Sequence, residues 1–289
     1  MALSDDLRAY ITEHGQPTTT ITQKHNVAIV GETHAPIWNE VAAIRLAASV
    51  RLLLELLRDP RYRYFGSEHF FNAGPIRLGV REYWRYGRLP PPVDPTQTNP
   101  DTLSDREIQE VAKRVLTRRF QPVLDYLRGN PRFILSIGSM ISTGPARDQR
   151  LAQHFFEEIA DRGLSPVIPG VLLLGAHHAS AVPVSDWATT RMLLEKLGFN
   201  CVSVRVLTDF VRDGNPDDAV FPLNIGTPVT SISQVTSVRL TSLVDKTPLT
   251  IPTDRPQSGS QPSPFRSVAF SDHEQSVAEE FEYIVLQKA

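Results

Sequence analysis

Cysteine, long apolar runs and an excess of one charge are all scarce in this sequence. Of its 289 residues only Cys201 is a cysteine, which excludes an internal disulfide framework and is typical of a reducing compartment. No apolar run approaches the length that spans a bilayer, and acidic residues near the start argue against a secretory signal. A net charge of −2 gives no general attraction to nucleic acid or acidic membranes. We expect a cytoplasmic protein with no membrane span and no nucleic-acid partner.

Several catalytic signatures are missing as well. The sequence has no Gly-x-Ser-x-Gly nucleophile elbow. It also has no P-loop, no His-Glu-x-x-His zinc pair and no Gly-x-Gly-x-x-Gly dinucleotide fingerprint. Cys201 lies at the start of a predicted strand, away from the strand ends that carry histidine. A covalent serine or cysteine nucleophile is therefore disfavoured.

Apolar strands and helices alternate through most of the chain. The pattern predicts strands at 27–30, 62–68, 132–138, 171–174 and 201–207. Helices are predicted between them, the first over 37–57 and apolar around most of its circumference, as in a helix that is covered on several sides. This alternation predicts an α/β fold with a mixed, mainly parallel sheet and helices on both faces.

A helical insertion is predicted at about 101–130, or 89–130 when the proline-rich segment before its first helix is included. Its first helix begins at a capping box, Ser104-Asp-Arg-Glu107. A basic cluster on this helix is interpreted as a solvated face; it comprises Lys113, Arg114, Arg118 and Arg119.

The residue pattern of the sequence changes after Asp209. Helical periodicity vanishes, and β-type runs remain at 235–244, 266–270 and 281–286. Between them, segment 246–264 is rich in Pro, Ser, Thr and Gln, which predicts a loop. Residues 211–289 are therefore predicted to be a β-type C-terminal extension at one edge of the sheet. We expect a single α/β domain over 1–289, with its core at about 26–210.

Three of the predicted strands end in acidic or histidine residues. These are Glu32 and His34 after the first strand, Glu68 and His69 after the second, and His177 and His178 after the fourth. The carboxyl ends of parallel strands meet at the sheet edge where ligands bind, so we expect these groups to converge. His69 should point to the opposite side of its strand from Glu68 and is expected to be structural.

Two imidazoles with one or two carboxylates suit two hydrolytic mechanisms, and the residues leave both open. They can hold a divalent metal such as zinc, manganese or cobalt, with an open position for water. Alternatively, a histidine held by a carboxylate takes a proton from water while other groups bind or protonate the substrate. Either mechanism predicts hydrolysis of a small-molecule or peptide substrate.

Two Gly-x-x-His motifs, Gly31-Glu-Thr-His34 and Gly175-Ala-His-His178, are separated by a strand that ends in Glu68. Glu68 is followed by a helix with the sequence Val80-Arg-Glu-Tyr-Trp-Arg-Tyr-Gly87, and Arg147-Asp148 opens a later helix. In this order and spacing, the chain from the first to the fifth strand resembles one superfamily. It groups erythromycin esterases, ChaN-like haem-binding lipoproteins and the TraB/Tiki proteins proposed to be metalloproteases. The chain is most similar to the ChaN-like branch.

The resemblance implies a hydrolase that cleaves an ester, lactone or peptide bond. The catalytic residues that it implies are Glu32, His34, Glu68, Arg147, Asp148 and His178. If a metal is used, its ligands would be His34, Glu68 and His178. Arg147 would bind an anionic group or stabilise developing negative charge.

The resemblance also implies an alternative, a haem- or metal-binding protein without turnover. The ChaN-like lipoproteins are exported and anchored through a lipid-bearing cysteine, and this sequence shows neither a signal nor a lipobox. That difference argues against a role in haem uptake. The β-type extension lies outside the resemblance, and we expect it to shape substrate choice or a contact between copies in a homo-oligomer.

Overall fold

A computed structural model describes residues 25–32, 40–71, 75–94, 98–138, 144–184, 186–208, 220–222, 235–237, 249–252 and 280–287. The strands within these ranges are β1 (Val27–Glu32), β2 (Tyr64–Phe71), β3 (Phe133–Gly138), β4 (Gly170–Gly175), β5 (Cys201–Thr208), β6 (Val220–Pro222), β7 (Val235–Ser237), β8 (Leu249–Pro252) and β9 (Tyr283–Gln287). The α-helices are α1 (Glu40–Leu57), α2 (Pro75–Tyr86), α3 (Asp105–Arg119), α4 (Gln121–Gly129), α5 (Pro145–Asp161), α6 (Ala176–Ala179) and α7 (Thr190–Lys196). None of these described helices is long and apolar enough to cross a membrane.

Strand β1 lies at the centre of a seven-stranded sheet with the order β3-β2-β4-β1-β5-β9-β8. Neighbouring strands from β3 to β9 are parallel, and β8 is antiparallel to β9. Strands β6 and β7 form a separate antiparallel pair. Every residue of β1 and β4 is buried, as expected for strands covered on both faces. The predicted α/β fold with a mixed, mainly parallel sheet is confirmed.

Helices cover both faces of this sheet, as predicted. Successive residues of a strand point to opposite faces, and alternate strand residues such as Ala28 and Val30 pack with helices α1 to α4. Helices α5 to α7 cover the other face, where the Tyr64 ring lies 5.7 Å from that of Phe155. The predicted helical insertion is thus α3 and α4 on the first face. Its capping box is present, because the Glu107 carboxylate accepts from the Ser104 N–H at 2.9 Å.

Strands β8 and β9 extend the sheet beyond β5, so the predicted β-type extension is confirmed. The loop prediction for 246–264 is wrong at Leu249–Pro252, because β9 offers this short segment a strand edge to pair with. The predicted run at 266–270 lies outside the described residues.

A buried ion pair ties the segment before β9 to helix α7. Arg191 is 2% exposed, and its two Nη groups each donate to the carboxylate of Glu282 at 2.6 Å. Glu282 also accepts from the backbone N–H of Ser203 in β5 at 2.8 Å. One carboxylate therefore links a helix, a strand and the C-terminal extension.

Candidate functional site

The carboxyl ends of β1, β2 and β4 meet at one edge of the sheet. Glu32 ends β1, Glu68 lies in the last half of β2, and β4 runs directly into helix α6, which carries His178. Glu32 and Glu68 are 5% and 2% exposed, and carboxylates this deeply buried require hydrogen-bond partners. His34 lies outside the described residues, so its role stays a prediction from the sequence.

Glu68 accepts hydrogen bonds on both of its carboxylate oxygens. Oε1 accepts from the backbone N–H of Gly175, and Oε2 accepts from an Nη of Arg147 at 2.9 Å. Gly175 ends the neighbouring strand, and Arg147 lies in the first turn of α5. The carboxylate is thereby fixed from two sides, and it in turn fixes the guanidinium.

His178 is oriented by Asp148. The Nδ1 atom of His178 lies 2.8 Å from Oδ1 of Asp148, and its Nε2 atom lies 3.2 Å from Nε of Arg147. Since the Nε of arginine can only donate, Nε2 of His178 accepts, and the proton of the neutral imidazole sits on Nδ1. Oε2 of Glu68 lies 3.8 Å from the same Nε2 atom. The structure therefore brings together four of the predicted site residues: Glu68, Arg147, Asp148 and His178.

Thr190 holds Asp148 in place. Oδ1 of Asp148 accepts from both the backbone N–H and the hydroxyl of Thr190, each at 2.6 Å. Thr190 is the first residue of α7, where backbone N–H groups have no partner inside the helix. No sequence motif marks Thr190, because its role depends on how α7 packs on α5.

Glu32 and His69 form a second polar pair, on the opposite face of the sheet. Nε2 of His69 is hydrogen-bonded to the Glu32 carboxylate. The His69 ring also packs against Phe120, with ring centroids 5.9 Å apart. His69 thus points away from Glu68, as expected. The structure adds that its partner is one of the predicted site residues.

Alternation along β2 explains why the two carboxylates have different partners. Successive residues of a strand point to opposite faces, so the adjacent side chains of Glu68 and His69 diverge. His69 reaches Glu32 on one face, while Glu68 reaches Arg147 of α5 on the other. The register of β2 shifts between Ser67 and Phe71, the segment that holds both residues.

The interpretation of the basic cluster as a solvated face is wrong for two of its residues. Burial lowers the pKa of the Arg119 guanidinium, while the negative charge of Glu32 opposes that effect. Arg118 donates from Nε to the carbonyl oxygen of Pro90 at 2.9 Å. These two arginines are partly covered because Phe120, which directly follows α3, is fully buried. Its ring packs against Phe65 and Phe70 of β2, which places the end of α3 close to the sheet.

The described donors do not suit a divalent metal in this arrangement. The guanidinium of Arg147 donates hydrogen bonds to Oε2 of Glu68 and Nε2 of His178. These are the atoms with which the two predicted ligands would bind an ion. Across the described residues, no group of three or more His, Cys, Asp or Glu side chains is placed to hold a metal. A metal would have to displace Arg147 from both atoms.

No family model matches the chain. Among curated proteins, the chain is similar to serine/threonine-protein phosphatase CPPED1 from Danio rerio, with 27% identity over 144 residues. The matched segment is 50% of this chain and 42% of that phosphatase, so the chain spans less than half of this relative.

Two solved structures share the fold along nearly the whole chain. A Bacillus cereus protein has a TM-score of 0.50 and 10% identity, covering 100% of this chain and 98% of its own. A succinoglycan biosynthesis protein has a TM-score of 0.53 and 12% identity, covering 99% and 97%. At such low identity these likenesses show the fold alone.

Proposed function

We propose that this chain is a hydrolase of the erythromycin esterase/ChaN/Tiki type that activates water by histidine base catalysis. The observation that carries the proposal is the chain of contacts from Thr190 through Asp148 to His178 and Arg147. A buried carboxylate that fixes the tautomer of a histidine is a recurring arrangement for general base catalysis.

His178 takes the proton in this mechanism. Asp148 holds the Nδ1–H, which leaves the lone pair of Nε2 directed toward Arg147 at 3.2 Å. When a substrate oxygen engages Arg147, Nε2 becomes available to accept a proton from water. The imidazolium that forms is stabilised by the negative charges of Asp148 and of Glu68, whose Oε2 lies 3.8 Å away.

Arg147 supplies the stabilisation of negative charge. Its guanidinium is held by Glu68 at 2.9 Å, so it is oriented before a substrate arrives. As the water adds to the scissile carbonyl, charge develops on the carbonyl oxygen, and a pre-positioned N–H donor lowers the barrier. Loss of one such donor typically costs about 10²–10³ in kcat.

Glu32 and His34 are included in the proposed site because the sequence predicts them. His34 follows Glu32 by two residues in the sequence, and Glu32, which ends β1, is already fixed by His69. We assign His34 to the second proton transfer, which protonates the leaving group. The substrate classes are an ester, a lactone or a peptide, and the similarity to a protein phosphatase adds phosphate esters to the compounds to be assayed.

A substrate panel with matched histidine variants tests this function. It contains p-nitrophenyl acetate, a γ-lactone, a chromogenic peptide and p-nitrophenyl phosphate. We expect His178→Ala and His34→Ala to lose about 10²–10⁴-fold in kcat on the substrate that is turned over, the range of general acid–base catalysis. His25→Ala is the control, because His25 lies before β1 at the other end of the strand, with its ring 3.2 Å from Asn200. Unchanged turnover in His178→Ala would show that this site is not catalytic.

Elemental analysis separates the two ways of activating water. If histidine alone acts, the purified protein carries no stoichiometric zinc, manganese or cobalt, and its activity survives chelation. About one ion per chain, with activity lost on chelation and restored by that ion, would instead support a metal held by the predicted ligands.

A further inference from the structure

A cavity of about 180 Å³ lies beside strand β3, at the edge of the sheet. Four arginines line it: Arg81 and Arg85 from α2, Arg132 just before β3 and Arg162 just after α5. None of the described residues that line the cavity is acidic. The chain as a whole has a net charge of −2, so this concentration of positive charge is local.

Within the described ranges, three of these four guanidinium groups have no counter-ion. Arg162 pairs with Glu158 at 2.5 Å and donates to the carbonyl oxygen of Ile134 at 3.3 Å. In the part of the chain that the structure describes, no carboxylate forms an ion pair with Arg81, Arg85 or Arg132. Like charges gathered around one cavity repel each other, and a bound anion would relieve that repulsion.

Two buried donors of the cavity wall also lack acceptors. Nε1 of Trp84 and Nε of Arg132 are buried, and neither has a hydrogen-bond partner among the described residues. Buried N–H groups are nearly always paired, and an orphaned one costs free energy. Both residues line the cavity, so these donors belong to its wall, and a ligand whose acceptor oxygens reach them would satisfy them.

Aromatic side chains complete the wall. Phe70, Trp84 and Phe133 all line the cavity, and Phe133 is 43% exposed although it is a large apolar residue. Arginine binds phosphate through paired N–H groups, and an aromatic surface accepts a planar ring. The volume is below the usual range for whole ligands, which suits a phosphate with one ring.

We propose that this cavity is a binding site for an aromatic phosphate ester. Its phosphate would be bound by Arg81, Arg85 and Arg132, and its ring would lie against Phe133. A dianionic phosphate balances several unpaired guanidinium groups better than a carboxylate does. The site is distinct from the candidate catalytic residues, because its lining includes none of Glu68, Arg147, Asp148 and His178.

Calorimetric titration with phenylphosphonate, which has no hydrolysable ester bond, tests the proposal on the full chain. We expect saturable binding that weakens at least tenfold in the double variant Arg81→Gln/Arg85→Gln and weakens as salt is added. The matched control is Arg58→Gln/Arg150→Gln, which removes two exposed arginines elsewhere and should bind as the wild type does. Because Arg147 is intact in all these proteins, an equal affinity in both double variants would place the anion elsewhere and overturn the proposal.

Three further titrations test the ligand class and the buried donor. Benzoate and inorganic phosphate should each bind more weakly than phenylphosphonate, and equal binding of benzoate would overturn the assignment of a phosphate. Trp84→Phe keeps an aromatic ring and removes the N–H donor, so it should weaken phenylphosphonate binding several-fold. The absence of saturable phenylphosphonate binding by the wild type would refute the site altogether.

Discussion

The substitution Glu282→Leu removes the main acceptor of a guanidinium that is 2% exposed. Burial works against the charge of Arg191, but its hydrogen bonds and charge interactions with Glu282 and Glu195 together outweigh that effect and raise its pKa. In the variant Arg191 stays charged and loses both bonds at 2.6 Å. Breaking one side of a buried pair costs about 3–5 kcal/mol. Glu195 still accepts from Arg191 at 3.1 and 3.3 Å, so we expect a loss near the lower end, about 3 kcal/mol.

The reciprocal substitution should cost less. In Arg191→Met, the Glu282 carboxylate keeps the backbone N–H of Ser203 at 2.8 Å, and its side chain is 14% exposed, so water partly solvates it. We expect a loss of about 2 kcal/mol, within the range for a hydrogen bond to a charged group. The double variant Arg191→Met/Glu282→Leu buries no unpaired charge from this pair and should lose no more than about 3 kcal/mol, giving a coupling of about 2 kcal/mol.

Urea unfolding followed by circular dichroism measures these four proteins. The control is Glu55→Leu, which breaks the exposed pair of Glu55 with Arg58 at 2.9 Å and should leave the unfolding midpoint unchanged. The predicted coupling is refuted if the loss of stability in the double variant equals the sum of the two single losses to within about 0.5 kcal/mol, the limit expected for independent sites. An unchanged urea midpoint in Glu282→Leu would show that the ion pair does not stabilise the fold.

Three other substitutions or reactions have clear expected outcomes. A Cβ on Gly170 would lie 1.9 Å from the Tyr64 ring, so Gly170→Ala should lower the free energy of unfolding by about 3 kcal/mol, and a normal thermal midpoint would contradict this packing. Burial raises the pKa of the Cys201 thiol to about 12, so thiol reagents at pH 8 should label it only as the protein unfolds; rapid native-state labelling would refute this. Asp148→Asn removes the charge that orients His178 and should lower kcat about 10²–10⁴-fold, measured on the substrate found for the wild type. If kcat holds, Asp148 is structural.

The sheet was predictable because its central strands carry an unambiguous pattern. The apolar runs of β1 and β4 have no exposed residue, so burial on both faces leaves a continuous apolar signal in the sequence. Short strands gave no such signal. The segment Leu249–Pro252 becomes a strand because β9 is beside it, which is information that local composition does not hold.

Only some residues of the candidate site could be predicted from the sequence. Glu68, Arg147, Asp148 and His178 carry motifs, and the structure brings these four together. Thr190 has no motif, because any residue that starts a helix offers the same backbone N–H. Its role follows from tertiary packing.

The partner of His69 was equally hidden in the sequence. That His69 meets Glu32 depends on the path of β2 between Ser67 and Phe71, where its register shifts. A one-residue shift in β1 or β2 would send one side chain to the other face.

The position of β9 has a consequence for the nascent chain. Strand β5 is paired with β1 on one side, and on the other it is paired with a strand that emerges from the ribosome only after residues 209–282 have been made. Throughout that interval one border of β5 presents unpaired N–H and C=O groups, which invite pairing with strands of other molecules. Pairing with β9 closes this border of β5, and until β9 docks the newly made protein can aggregate through it.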